Sequence, residues 1–63
     1  MLSSLSFSEK PVPLSQAKPG SYIRDMYEEV FLFKRCEFGE GVCENEHGQI
    51  SYLDLHEKVF IQK

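Results

Sequence analysis

From residue 21 onward, apolar and polar positions follow each other at the short period of extended chain, in segments of a few residues separated by turn formers. Residues 28–36, reading EEVFLFKRC, make the strongest strand, because aromatic and β-branched side chains suit a pleated surface. Tyr27, Val30, Phe31 and Lys34 also fall at helical spacing. The segment lacks a clear N-cap, however, and Val-Phe-Leu-Phe is poor helix material. Residues 21–25, 41–45, 49–53 and 58–62 supply four further strands. The Glu37-Phe38-Gly39-Glu40 stretch turns the chain, with Gly39 free to take a positive φ. Asn45-Glu46-His47-Gly48 has Asn first and Gly fourth, the pattern of a type I turn closed by a left-handed glycine. Asp54-Leu55-His56-Glu57 reads as one tight helical turn before the last strand.

Five short strands, two tight hairpins and a turn of helix before the final strand resemble, in architecture, an SH3-like or Sm/OB-like small barrel. The expected fold is therefore all-β: a small five-stranded SH3-like barrel over residues 20–63, preceded by an irregular N-terminal arm over residues 1–19. The acidic-aromatic first loop and paired tryptophans of peptide-binding SH3 modules are absent. Pro11, Pro13 and Pro19 all lie in the arm, and the proline ring removes a donor and fixes φ. Leu2, Leu5, Phe7, Val12 and Leu14 in the arm are nevertheless apolar. They suit either a loose tail or an arm that straps one face of the domain or joins a neighbouring subunit. On the strap reading, deleting residues 1–18 leaves the barrel folded.

Strand alternation selects a core of Ile23, Phe31, Phe33, Val42, Ile50, Tyr52, Val59 and Ile61. It also leaves a puzzle. A strand with one solvated face should alternate apolar with polar, yet Val30 and Leu32 lie opposite Phe31 and Phe33. Something must cover this second face: the arm, a second copy of the chain, or another protein. Val30 and Leu32 are thus the expected partner-binding centre, with Tyr27, Glu28, Glu29 and Glu44 as its rim.

The chain has 63 residues, 41% of them hydrophobic and 27% charged, which suits one folded domain near the lower size limit for an unaided core. Net charge is −3 and the seven basic residues are scattered, which disfavours a general phosphate-binding role. The opening MLSSLSFSEKPVP shows no basic n-region followed by an apolar stretch, so no secretion signal is read. No apolar run approaches the roughly 20 residues of a membrane span. The expected compartment is cytoplasmic, with reduced cysteines.

Chemistry concentrates in CEFGEGVCENEH, residues 36–47. Zinc favours paired ligands two to four residues apart, whereas here the spacing is C-x6-C-x3-H-x8-H. If Cys36 pairs opposite Gly41, Cys43 is a diagonal neighbour roughly 7–8 Å away, too far for a bridge. Two reduced thiols packing as small apolar groups fit better. A cysteine nucleophile needs a nearby base and a third group to orient it, and the histidines lie in turns. The expectation is no catalytic residue, no metal and no cofactor. The clustered glutamates suit a solvated edge or a surface that docks a basic partner. The expected function is a non-catalytic protein-binding module, acting as a regulator, inhibitor or subunit of an assembly, with a protein partner or a second copy and no membrane. A rival is a single-stranded nucleic-acid binder using Tyr22, Arg24, Tyr27, Lys34, Arg35 and Tyr52. A zinc-stabilised interaction module is the third.

Overall fold

The structure is a computed structural model and describes residues 5–63; Leu2 lies outside that range. It is all-β. The strands are β1 (Val12–Pro13), β2 (Tyr22–Arg24), β3 (Val30–Glu37), β4 (Glu40–Asn45), β5 (Ile50–Asp54) and β6 (Lys58–Ile61). They form one antiparallel sheet in the order β1-β6-β2-β3-β4-β5. The five strands expected from sequence are present within two residues of their expected ends. The sixth, β1, comes from the arm.

Local chemistry sets the hairpins. Phe38 (φ 51°) and Gly39 (φ 79°) both take left-handed backbone between β3 and β4, the twist that matches a two-residue hairpin. Gly48 (φ 80°) closes the β4–β5 turn, its N–H donating to the Asn45 carbonyl at 3.0 Å. Two expectations need correction. The sheet is not closed into a barrel, because among the described residues β5 pairs with β4 alone and β1 with β6 alone. The 54–57 stretch is a hydrogen-bonded turn rather than a turn of helix: Glu57 N donates to the Asp54 carbonyl (3.0 Å) and His56 N to Asp54 Oδ1 (2.8 Å). The aspartate side chain offers the backbone a local partner that competes with helix. Among the described residues the helical piece is the 3-10 turn Leu14–Gln16.

The arm is part of the core. After β1, Leu14 N donates to the Glu57 carbonyl (2.8 Å) and Ser15 N to the Leu55 carbonyl (2.9 Å), which ties the 3-10 turn to the β5–β6 connection. Leu14 and Ala17 then bury against Ile23, Phe31, Phe33, Cys43 and Val59 on the inner face of the curved sheet. Gly41 of β4 leaves the room. A methyl group there would lie 2.6 Å from Leu14 Cδ2 and 3.1 Å from Phe33 Cε1.

Of the expected core, Ile23, Phe31, Phe33, Val42 and Val59 are buried and Ile61 is half-buried. Ile50 and Tyr52 are not core residues: they are 47% and 57% exposed. Cys43 and Gly41 face inward and pair with Ser51 and Leu53, so Ile50 and Tyr52 take the outer face of β5. A bulge in β3 hides this phase in the sequence. Register shifts between Phe33 and Arg35, so Phe33 faces Cys43 across the ladder while Arg35 faces Val42. Val42 is consequently buried on the outer face, flanked by Arg35 and Tyr52.

Candidate interaction surface

The outer face carries Tyr22, Leu32, Val30, Val42, Ile50 and Tyr52, with pairings Tyr22↔Leu32, Leu32↔Glu44 and Glu44↔Ile50 running across four strands. Tyr22, Leu32, Glu44, Asn45 and Glu46 line a shallow depression of about 260 Å³. A neighbouring one of about 310 Å³ is lined by Glu28, Glu29, Val30, Asn45, Glu46 and His47. Five of the six expected partner-binding residues therefore gather in two depressions that share Asn45 and Glu46. Val30 and Leu32 are half-buried there. Tyr27 does not join them. It stands 88% exposed on the tip of the β2–β3 turn and lines neither depression.

Two turns of the same construction support this end of the sheet. Asp25 Oδ1 accepts from Tyr27 N (2.9 Å) and Glu29 N (2.8 Å). Asn45 Oδ1 accepts from His47 N and Gln49 N, both at 2.9 Å. Glu28 N donates to the Asp25 carbonyl as Gly48 N does to that of Asn45. Glu28 thus occupies, at φ 68°, the left-handed position that glycine fills in the other turn, a conformation that costs a β-carbon residue roughly 1–2 kcal/mol. The two turns lie side by side because Phe31 pairs with Asn45. This collects Glu28, Glu29 and Glu46 around one depression. The shared turn was legible in the matching D-x-x-E-E and N-E-H-G-Q stretches and was missed for want of a glycine in the first.

Cations on this surface are already engaged. Lys34 Nζ donates to Glu44 Oε1 (3.1 Å) and Arg35 Nε to Glu37 Oε2 (2.8 Å), and the Glu37 contact raises the Arg35 pKa further above its usual value. Arg24 lies between two rings, its guanidinium carbon 5.4 Å from the Phe7 centroid and 4.9 Å from that of Phe60. This is where the arm reaches the outer face, on β2 and β6, at a residue that pairs with Val30 across the β2–β3 ladder. Among the described residues the arm lines neither depression, and on this face its Phe7 meets Arg24. Its larger apolar contribution, Leu14 and Ala17, goes to the inner face.

Cys36 is exposed, Cys43 is buried, and both are free. Burial pushes the Cys43 thiol up from 9.0 to about 11, with smaller contributions from Glu57 and Cys36. Such a thiol is neutral and unreactive at physiological pH. Among the described residues no three His, Cys, Asp or Glu side chains converge as a metal ion needs. No helix among them is long and apolar enough to cross a membrane. Compared with known protein families, curated proteins and solved structures, the chain matches none.

Proposed function

We propose that the chain is a non-catalytic protein-binding module with an SH3-like strand arrangement, acting as a regulator, inhibitor or subunit of a larger assembly. The order β6-β2-β3-β4-β5, a meander whose last strand returns beside its first, supports the fold part of this reading. The functional part rests on one observation: the outer face holds a band from Tyr22 and Leu32 to Ile50 and Tyr52, its depressions lined by no described residue of the arm, beside Glu28, Glu29, Glu44 and Glu46. An apolar centre with a charged rim is the anatomy of a protein interface. The engaged state of Lys34 and Arg35 favours this over a strand of nucleic acid, which needs free cations.

A photo-crosslinking side chain placed at Tyr22 of the full chain, in extract of the source cell, tests the reading. A discrete polypeptide adduct is expected, and Leu32→Lys should reduce it while the domain stays folded. Absence of any adduct, or saturable binding of a single-stranded oligonucleotide at low salt, would overturn it.

A further inference from the structure

The two ends of the sheet differ in what their outer edges offer. β1 is two residues long, includes Pro13 and follows Pro11. β5 is five residues long, contains no proline or lysine, and among the described residues pairs on one side only. The hydrogen-bond phase of β5 follows from its neighbours. Asn45 N donates to the Gln49 carbonyl, so Asn45 points its backbone groups at β5. On the far side of the sheet, Phe33 N donates to the Ser21 carbonyl and Gly20 N to that of Phe33, so Phe33 points away from β4. In an antiparallel ladder these directions alternate residue by residue. Leu32 and Glu44 therefore bond each other, as do Cys43 and Ser51. Ile50 and Tyr52 then direct both N–H and C=O away from β4, and Asp54 its N–H. Among the described residues no hydrogen bond reaches the outward backbone groups of Ile50 and Tyr52. The same two side chains are the exposed apolar ones of the strand.

Charge adds a second mark. Glu40 and Asp54 stand directly opposite each other on the outer face, both exposed, at the far end of β5. Like charges in that position repel. Neither carboxylate has a cation partner among the described residues, where the ion pairs are Lys34–Glu44 and Arg35–Glu37 and the His47 ring lies beside Glu46. A cation beside Asp54, in the lane next to β5, would relieve the pair.

We propose that β5 is a docking edge for an extended basic segment of a partner protein, which adds to the sheet as a seventh strand. Main-chain bonds to Ile50 and Tyr52 supply the affinity and alternate side chains the selectivity. The recognised segment carries apolar residues beside Ile50 and Tyr52 and a lysine or arginine beside Asp54, each two positions from the next. A second copy of this chain fits the backbone pattern but not the charge. Pairing β5 with β5 brings two chains of net charge −3 together and doubles the Glu40–Asp54 problem instead of neutralising it. The inference rests on the protein-binding reading and names where and how the partner sits.

An amide-resolved NMR titration of the full chain tests it. The probes are a short capped peptide of alternating threonine and valine that ends in two alternate lysines, and a twin with glutamates in their place. Saturable shifts at Ile50, Tyr52 and Asp54 are expected with the lysine peptide, and affinity at least about tenfold weaker for the glutamate twin. Tyr52→Pro removes an outward N–H and no bond to β4, and should abolish the shifts. If that variant unfolds, Asp54→Lys gives the same information through charge, by reversing the preference between the peptides. No saturable shift at β5 at millimolar peptide, or a dimer joined through β5 in light scattering, overturns the proposal. Shifts confined to Tyr22 and Leu32 also overturn it while leaving the protein-binding reading intact.

Discussion

The sheet's two edge regions use their apolar residues in opposite ways. At the β1 edge the arm turns inward and spends Leu14 and Ala17 on the core, while proline leaves little backbone to offer. At the β5 edge Ile50 and Tyr52 face outward beside free backbone groups. Among the described residues, one edge is finished by the chain itself and the other is not. In a domain this small a proline-rich segment can be structure, while a well-formed β-strand can be surface.

The largest losses of stability are expected on the β1 side. Leu14→Ala removes a fully buried side chain from the centre of the core and should cost roughly 2–5 kcal/mol. Phe33→Ala should cost roughly 3–5 kcal/mol. Either is a large share of the total stability of a small domain, and urea unfolding followed by circular dichroism would register it as loss of the folded baseline. Deleting residues 1–18 belongs with these changes. It removes both Leu14 and Ala17, so the truncated chain should not fold. A truncation that keeps a cooperative transition would show that the arm is dispensable after all.

Gly41→Ala probes the same contact from β4. The new methyl meets Leu14 Cδ2 and Phe33 Cε1 inside contact distance, and overpacking of this kind costs typically about 1–3 kcal/mol. In the double variant Leu14→Ala/Gly41→Ala the closer clash, with Leu14, is gone and only the Phe33 contact remains. The double variant should therefore lose less than the two single losses added together, as contacting sites do. Strict additivity would mean that Leu14 and Gly41 do not meet.

Much of this organisation was legible in the sequence, and the exceptions have identifiable causes. The hairpins were readable because Gly39, Asn45 and Gly48 carry their turn chemistry locally. The outer position of Val30 and Leu32 was readable because alternation survives up to Phe33. Beyond Phe33 the bulge shifts the phase, and nothing local in KRCEFGEGVC marks a bulge. The expected faces of Ile50 and Tyr52 were lost with it. Leu14 was hidden differently. Its partners are Gly41 and Phe33, far along the chain, and prolines on both sides argue against any regular element. The gathering of Glu28, Glu29, Glu44 and Glu46 was anticipated in part, because it needs only the β3–β4 register.

The cysteines sharpen the contrast between inside and outside within one hairpin. A thiol raised to about 11 in the folded state favours folding fully below the unfolded pKa of 9.0, and that contribution is lost as pH rises through 11. Stability should therefore fall between pH 9 and 11. Cys43→Ala should flatten that part of the profile and Cys36→Ala should leave it in place. In the native protein at neutral pH an alkylating reagent should label Cys36 and spare Cys43. The Cys36→Ser/Cys43→Ser protein should fold with a modest loss, since neither thiol closes a loop.

The smallest effect on stability is expected at β5, and it carries the most functional weight. Ile50→Lys places a charge where the side chain is already half in solvent and where the backbone bonds face outward. Exposed substitutions of this kind usually change stability by no more than about 0.5 kcal/mol. Val12→Lys makes the same chemical change on β1, where Val12 is half-buried and pairs with the fully buried Val59. It should cost clearly more, because the lysine stem must leave the core margin or carry its charge into it. Thermal melts of the two variants beside the parent chain give the comparison directly. Ile50→Lys melting with the parent and Val12→Lys well below it would mean that one edge completes the fold and the other is available to a partner. Equal losses would mean that β5 is as necessary to the isolated domain as the arm, and a strand so committed has no free edge to offer.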